Sequence, residues 1–599
     1  MNLDILGVII FDGHAILPEN RVSIRKGLIA EIGTGPAASP AARTITATGC
    51  LLTPGFVDAH VHTTFGGQES LACDISGADG LAEALDMIRR FAEDAPDSAP
   101  NTADSPGGTS DTSPAWITGG GWSMADFPGG NPTAQILEAV TLGHPTILLS
   151  ADHHSAWVNT AALKIAGIDS GTPDPEGGII VRDDSGAPTG CLHEAAIDLI
   201  SAHIPPADEE AVRAGLLAGQ GYLSALGVTA WMDAIVGDYG GHCDPFDTYV
   251  RADEAHDLRS EVVGSLWWPR GVEDIDAEVA RLSDRCRTEG RFRTTSVKFM
   301  LDGIVESQTA AMSAEYTCTC GGYGTNYFTR DHLEASFAAL DAAGFDIHCH
   351  AIGDAAVKAA LDAFEAIGAH PDDGRRHHIA HVQVVDPADV PRFAELGITA
   401  NLQALWACFD QQMIDLNIPV LGPERSGWLY PFGSFARTGA HLAMGSDWPV
   451  STANPWEALH VAVNRSHPAA ADTAPLLPDE ALELTTALRA YTAGSAHLLR
   501  SGANGHIRLG ERANLALASA NPFALEPDRI AEITNTLTIV DGHIAFEAAP
   551  PPDTTAPPTP TPTPSPPDAT SQPDTAAPPP NTPPAAPHVV PPASTERPS

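Results

Sequence analysis

The sequence predicts an α/β fold in which a TIM-type (β/α)8 barrel carries a small composite β domain formed by the N- and C-terminal segments. Three observations predict this fold. Through the middle of the 599-residue chain, apolar runs of strand length alternate with helical patterns. Eight such runs occur, which is the number that closes a barrel. Both ends of the chain consist of short strands separated by turns.

The two ends of the chain predict one shared β domain, made of residues 1–54 and 501–548. Neither end is long enough to form a stable sandwich alone, so the economical arrangement pairs them. The predicted strands are Ile5–Phe11, Arg21–Ile24, Gly27–Ile32, Arg43–Ala47, Asn514–Ala518 and Thr536–Phe546.

The barrel is predicted over residues 55–500, with an insertion at about 65–205 between its first two strands. The insertion contains a Gly119-Gly-Gly-Trp122 segment that we interpret as a turn. Helices are predicted between most of the strands, for example over Asp354–Ile367 and Pro387–Leu396. The predicted barrel strands are Gly55–His62, Gly227–Ala234, Glu261–Trp268, Thr294–Leu301, Phe345–His350, His377–His381, Ile398–Gln403 and His441–Asp447.

Two segments are of low complexity. Residues 550–599 contain 20 of the 51 prolines, a composition that cannot bury enough apolar surface to offset its ordering entropy. We therefore predict a disordered, Pro-rich tail over 549–599, and we favour a solvated appendage over an SH3-type ligand. The run from Pro96 to Pro114 is predicted to be an exposed loop.

Charge and composition exclude several classes of partner. The formal net charge of −44 argues against nucleic acid and disfavours anionic membranes, and no apolar run is long enough to span a bilayer. The segment from Met1 to Phe11 has the pattern of a strand, not of a signal peptide. Nine scattered cysteines favour reduced thiols and a cytoplasmic protein, and the Cys318–Cys320 pair alone does not predict a zinc site.

The first predicted barrel strand ends in Asp58-Ala-His60-Val-His62. Residues i and i+2 of a strand point to the same face, so both imidazoles project toward one point, as a chelate requires. Two surface histidines would be the alternative for this short pattern. The apolar strand and the loop that follows it favour metal ligands.

Lys298 lies inside the fourth apolar strand, where a lysine is costly unless it is paired or neutral. The alternative is a salt bridge, but this chain has 28 Arg and only 4 Lys, so it uses arginine where positive charge suffices. A lysine at this position indicates chemistry of the amine, namely carboxylation to a carbamate that bridges two metals. Burial lowers a lysine pKa and supplies the neutral amine.

Three further strands end in a metal-type ligand: His350, His381 and Asp447. His348 shares the parity of His350 and is a competing candidate, although a core histidine is the favoured interpretation. The carboxyl ends of barrel strands meet at one mouth, which is where barrel enzymes keep their sites. The joint placement of these residues therefore predicts a metal centre.

The chain resembles the amidohydrolase superfamily, specifically its amidohydrolase-3 branch, which includes N-substituted formamide deformylases. It departs from the family at Ala380, where a Glu is frequent, in the loop Ile304–Gln308, and at Gly510–Asn514. The stretches that carry the resemblance are Thr53–His62, His154–Asn159, Thr172–Gly178, Pro188–Gly190, Lys298 with Asp302-Gly303, His350–Asp354, His381–Gln383, Gly445–Pro449 and Val540–Gly542.

The resemblance implies the barrel, the composite domain and a binuclear centre. His60 and His62 would bind the more buried ion, His350 and His381 the more exposed one, and carboxylated Lys298 would bridge them. Asp447 would bind the buried ion and act as general base and acid. The donor set suits Zn²⁺, and a metal-activated hydroxide would cleave a non-peptide amide or N-formyl bond of a small molecule.

The candidates for substrate contact are Trp122, His154, Trp157, Asn159 and Gln403, each with loop packing as the alternative. Two other functions stay open. A mononuclear deaminase would use one ion and has no need of Lys298, and a non-catalytic barrel scaffold would have lost ligands. The sequence predicts no oligomeric state.

Overall fold

The computed structural model describes residues 1–549 except 38–40, 42, 96–114, 176, 206, 240–241, 318–321 and 471–472. Residues 550–599 of the predicted tail, the predicted loop 96–114 and the Cys318–Cys320 pair lie outside the described residues. In the part of the chain that is described, no helix is both long and apolar enough to cross a membrane.

Eight parallel strands form a barrel and are hydrogen-bonded in sequential order, which confirms the predicted fold class. Every predicted barrel strand is present. The strands are β1 (Phe56–Val61), β2 (Val228–Val236), β3 (Glu261–Trp267), β4 (Phe292–Met300), β5 (Asp346–Ala351), β6 (His378–His381), β7 (Thr399–Leu402) and β8 (Leu442–Met444).

The barrel closes between β1 and the segment that follows β8. The backbone N–H of Asp447 donates to His60 O at 2.7 Å, and that of His62 donates to Trp448 O at 2.9 Å. Glycine is required at position 445, because a Cβ there would lie 2.5 Å from the backbone nitrogen of His60. This close approach brings Asp447 beside the histidines of β1.

The two chain ends form the predicted composite β structure. A four-stranded sheet has the order Leu28–Gly33, Arg21–Arg25, Asn2–Leu6 and Arg43–Thr46. A six-stranded sheet has the order His543–Glu547, Asn535–Val540, Leu515–Ala518, Leu51–Pro54, Ile9–Phe11 and Ile16–Leu17.

The predicted single strand Ile5–Phe11 is wrong. The chain instead forms Asn2–Leu6 in one sheet and Ile9–Phe11 in the other. The break falls at Gly7, whose φ of +78° is not a strand conformation. The two halves of the apolar run therefore serve different sheets.

The insertion between β1 and β2 folds around a six-stranded sheet of its own. The order is Gly178–Arg182, Pro188–Glu194, Ser155–Val158, Thr146–Ser150, Ile117–Trp122 and Cys73–Asp74. The predicted turn at Gly119–Trp122 is wrong, because these residues form a strand. Its glycines permit close packing, since a Cβ at Gly119 would lie 2.2 Å from Cys73 O.

The helices lie mainly between the barrel strands. The predicted helix Asp354–Ile367 is observed as Asp354–Ala366, and Pro387–Leu396 as Val390–Leu396. The largest apolar cluster combines barrel-strand and helix residues; for example, Phe299 of β4 packs on Phe337. The α-helices are Thr63–Ser70, which we call α1, Leu81–Asp94, Ala134–Glu138, Thr160–Ile165, Asp198–Ser201, Glu209–Ala225, Phe246–Glu254, Ile275–Asp284, Arg330–Ala343, Asp354–Ala366, Val390–Leu396, Ile418–Ser426, Phe432–Thr438, Pro455–Asn464, Leu484–Arg489 and Ser495–Leu498.

Candidate metal centre

The six predicted ligands meet at the carboxyl ends of the barrel strands. They line one cavity of about 360 Å³. The six are His60 and His62 at the end of β1, Lys298 on β4, His350 on β5, His381 at the end of β6 and Asp447 after β8.

Asp447 is the common neighbour of the histidines. Its Oδ1 lies 3.3 Å from His60 Nε2 and 3.0 Å from His62 Nε2. Its Oδ2 lies 3.7 Å from His381 Nδ1. The ring of His381 is in turn 4.4 Å from that of His350, centroid to centroid. The Asp447 carboxylate therefore lies between the histidines at the end of β1 and His381 of β6, and His350 lies on the other side of His381.

These spacings match those of metal ligands. Four ligands at 2.0–2.1 Å from a tetrahedral zinc ion lie about 3.4 Å from one another. The donor atoms of His60, His381 and Asp447 lie within 4.8 Å of one another. Asp447 Oδ1 and His381 Nδ1 are buried and make no hydrogen bond of proper geometry. Buried polar atoms without partners are costly, so the donor set fits a divalent cation.

The charge states also suit metal binding. Burial, and then the charge of Lys298, lower the pKa of His60 to about 3. Burial likewise holds the pKa values of His350 and His381 well below the ordinary value. Burial opposes ionisation of Asp447, but the imidazoles around it, His60 first, bring its pKa well below 3.8. Among the predicted ligands, His60, His350 and His381 are therefore neutral imidazoles and Asp447 is a carboxylate anion.

Lys298 is 1% exposed and borders the same cavity. Burial lowers the pKa of its ammonium group to about 7, so a large fraction of the side chain is the neutral amine at physiological pH. Its Nζ lies 3.3 Å from His348 Nε2.

His348 has a closer relation to the site than the sequence predicts. It is fully buried, as expected of a core histidine. However, its Nε2 lies 3.0 Å from His60 Nδ1 and its Nδ1 lies 3.0 Å from Ser265 Oγ. It therefore connects Lys298 to His60 and fixes the orientation of the His60 ring. Its shared parity with His350 is the sequence signal that points to the site.

The backbone around two of the ligands is held in an unusual conformation. His381 has a φ of +75° and Asp447 a φ of +57°, values that L-residues rarely adopt and that cluster at functional sites. The carboxylate of Asp58 accepts backbone N–H bonds from Ser446 at 3.0 Å and from His60 at 3.2 Å. Gln403 Oε1 accepts the N–H of His381 at 2.7 Å. These bonds position the ligands.

Four of the five predicted substrate-contact residues are absent from the cavity lining, and three of these four lie in the insertion. Trp122 and Trp157 pack in the core of the inserted sheet, and their indole N–H groups donate to Leu148 O and Thr133 O at 2.8 Å. Asn159 is the N-cap of helix Thr160–Ile165. Their alternative interpretation, packing and capping, is what the structure contains.

Gln403 is the fourth predicted contact, and it too is absent from the described residues that line the cavity. It is 1% exposed and holds the backbone of a ligand. Its effect on a bound molecule is therefore indirect.

His154 is the predicted contact residue that does line the cavity. Its Nδ1 lies 2.9 Å from Glu194 Oε1. Burial would lower the pKa of His154, but the Glu194 carboxylate outweighs it and raises that pKa to about 9. The cavity therefore contains an imidazolium at neutral pH, anchored by a carboxylate that no sequence pattern singled out.

No pattern in the sequence singles out the other cavity residues, because they come from separate loops and short helical segments without a characteristic spacing. Trp406 is one of them, and its indole stacks on His381 at 5.6 Å with ring planes 8° apart. The others include Asp152, Glu306, Asp410, Asn417, Tyr430 and Glu457.

The barrel and its donor set define a metal-dependent hydrolase. Comparison with known proteins agrees, since the profile of the amidohydrolase family matches residues 43–546. The chain therefore belongs to the amidohydrolase family and acts on carbon–nitrogen bonds other than peptide bonds.

Relatives cover most of the chain. Protein LONG AFTER FAR-RED 3 of Arabidopsis thaliana is 30% identical over 533 residues, which are 86% of each chain. N-substituted formamide deformylase of Arthrobacter pascens is 28% identical over 554 residues, 88% of this chain and 94% of that one. A metal-dependent hydrolase structure from Pyrococcus horikoshii, 21% identical, covers 88% of this chain and 99% of its own with a TM-score of 0.65, and it supports the fold.

Proposed function

We propose that this amidohydrolase cleaves the amide or N-formyl bond of a small N-acylated or N-formylated amine, giving a carboxylic acid and an amine. The observation that carries the proposal is the position of Lys298, a buried amine at the wall of the histidine-lined cavity whose lowered pKa of about 7 leaves a substantial neutral fraction at physiological pH. A mononuclear deaminase has no use for that amine. The 28% identity to a formamide deformylase supports the choice of substrate class.

Two divalent cations, with Zn²⁺ as the expected ion, would be held at this centre. His60, His62 and Asp447 would bind one ion, His350 and His381 the other, and carboxylated Lys298 would bridge them. Bound ions would supply Lewis acidity toward water and toward the carbonyl oxygen of the substrate. The neutral imidazoles and the unpaired donor atoms described above support this assignment.

Asp447 is the group that we assign to proton transfer. Its pKa lies well below 3.8, so the carboxylate is ionised at neutral pH and has no proton of its own. The carboxylate accepts the proton of the attacking water and delivers it to the departing nitrogen. His348 and Asp58 keep the neighbouring residues in place during the transfer, through their contacts with His60 and Ser446.

His154 is the group that we assign to substrate binding. Its ring centroid lies 5.9 Å from that of His350, so its positive charge is close to the position of the reacting carbonyl. An imidazolium there favours an oxygen that gains negative charge during the reaction. The carboxyl groups of Asp152, Glu306 and Asp410 also line the cavity. They disfavour a substrate that carries a negatively charged group on its amine side.

The test is product release from a panel of N-formyl and N-acyl amines, with zinc and bicarbonate present. We expect acid and primary amine in equal amounts, loss of turnover after chelation, and recovery on adding zinc. Asp447→Asn should lower turnover by about 10²–10⁴-fold. Asp372→Asn, which changes a 93% exposed carboxylate, is the matched control and should retain it.

The same panel separates the other functions. Amino-substituted heterocycles are included, and release of ammonia from them without amide cleavage would replace the proposal by the deaminase. Absence of any turnover by protein that binds no zinc would leave only the scaffold.

A further inference from the structure

A second group of metal-type donors lies beside the catalytic cavity. Glu69 is on α1, His153 follows the inserted strand Thr146–Ser150, and His242 follows β2. Glu69 Oε2 lies 3.2 Å from His153 Nε2, and Glu69 Oε1 lies 3.8 Å from His242 Nε2. The three donor atoms lie within 4.8 Å of one another. Three separate segments of the chain therefore present donors to one point.

The geometry of the three donors fits a zinc-type ion. Ligands of a tetrahedral zinc lie about 3.4 Å apart, a value between the two measured separations. Each imidazole presents its Nε2, and two histidines with one carboxylate form a donor set that borderline divalent ions prefer. Three protein ligands leave one coordination position for water.

An ion pair accounts for only half of this cluster. Burial disfavours the charged form of His153, but the Glu69 carboxylate outweighs it and raises the pKa of His153, as expected of a pair. The other half has no such partner, since His242 Nε2 and Glu69 Oε1 are buried without a hydrogen bond. Leaving two such buried atoms unpaired is costly, and a cation between them would satisfy both.

His242 is prepared to act as a ligand. Burial lowers its pKa to about 4, so the ring is neutral and Nε2 can carry a lone pair. Its ring is also fixed in place, because it stacks on Phe65 at a centroid distance of 4.2 Å with planes 17° apart.

The cluster is accessible to ions from two sides. A cavity of about 520 Å³ is lined by His153 and His242, and one of about 680 Å³ by Glu69 and His242. His153 additionally lines the catalytic cavity. A cation could therefore reach the three donors without passing through the catalytic centre.

We infer that Glu69, His153 and His242 bind an additional divalent cation of the zinc type, separate from the catalytic centre. The bound ion joins α1 to the inserted sheet and to the segment after β2. Its effect reaches the active site through Phe65, whose ring stacks on His242 on one side and lies parallel to the ring of His62, 5.9 Å away, on the other.

The experiment counts zinc per chain by elemental mass spectrometry. Wild type, Glu69→Gln, His242→Gln and the control His370→Gln are stripped with chelator and dialysed against zinc with bicarbonate. His370 is suitable because its side chain is 64% exposed. We expect each cluster variant to hold one zinc ion fewer than wild type and the control. Equal counts in all four proteins would overturn the inference.

The count is a difference between proteins, so it is informative whether the catalytic centre holds one ion or two. Failure of the proposed amide hydrolysis would leave it unaffected. If a variant does not fold, crystals of the wild type soaked in zinc decide the question. An anomalous peak among the three side chains is expected, and its absence would refute the site.

Discussion

Replacing Lys298 by methionine should stabilise the metal-free protein while removing metal from it. Burial holds the pKa of Lys298 at about 7, against an ordinary value of 10.5. The folded pKa is below the unfolded one, so the protonated lysine destabilises the fold. The penalty is complete below pH 7 and disappears as the pH rises from 7 to 10.5.

The magnitude follows from the two pKa values. A tenfold change in proton affinity is worth about 1.4 kcal/mol, so the penalty at pH 7 is about 4 kcal/mol. Methionine has a similar length and no charge, but it loses the contact of Nζ with His348, worth about 1 kcal/mol. His348 keeps its contact with His60. The metal-free variant should therefore be more stable than metal-free wild type by roughly 3 kcal/mol at pH 7.

The assay is unfolding of chelator-treated protein at pH 7 and pH 10, combined with metal analysis of zinc-loaded protein. We expect the stability difference in favour of Lys298→Met to shrink at pH 10, where the wild-type lysine is neutral. We expect wild type to become the more stable protein once zinc is added, because only wild type can form the bridging carbamate. Lys358→Met is the control, since Lys358 is 57% exposed and pairs with Asp362 at the surface. Its effect should stay within about 0.5 kcal/mol. A metal-free Lys298→Met protein less stable than wild type, or one that binds as much zinc, would refute the reasoning.

The site and the segments around it support four further predictions. Asp447→Asn should lower kcat, measured by amine release, by about 10²–10⁴-fold because proton transfer is lost. An unchanged kcat would show that another group is the general base. Glu194→Gln should move the alkaline limb of kcat/KM to lower pH, because His154 loses the carboxylate that raises its pKa to about 9; an unmoved limb would mean that the imidazolium is not needed. The charged form of His154 stabilises the folded protein; this contribution is fully present below pH 6.5 and is lost as the pH rises through about 9. Unfolding midpoints measured across this pH range should therefore fall. Asn159→Ala should cost about 1–2 kcal/mol of stability with KM unchanged, since its amide caps a helix and donates to His144 O at 2.7 Å; a large rise in KM with unchanged stability would restore its role in substrate contact.

The barrel could be predicted closely because parallel strands buried on both faces are continuous apolar runs. The predicted strand Glu261–Trp268, for example, is observed as Glu261–Trp267. The two wrong predictions, the single strand Ile5–Phe11 and the turn Gly119–Trp122, both involve glycines, which can either end a strand or lie inside one. Gly7 ends a strand by its φ of +78°, whereas Gly119 lies within one and permits close packing against Cys73. The sequence alone does not distinguish these uses, because each depends on which backbone lies opposite.

The ligand candidates could also be identified early, because their spacing is a local property. His60 and His62 share a face by the alternation of a strand, and an apolar strand that contains Lys298 is unusual by itself. The contact candidates could not be separated from packing residues by the same means. Trp157 and His154 are three residues apart in one motif, yet one is in the core and the other lines the cavity.

The sequence by itself determined the fold class, the donor types and the strand ends that carry them, because periodicity and residue chemistry are properties of short segments. Only the tertiary structure decided which side chains meet across loops. Glu194 reaches His154 over 40 residues, and Glu69 reaches His153 over 84 residues. Such contacts depend on the paths of separate segments around the barrel mouth, and those paths are settled by packing of the whole molecule.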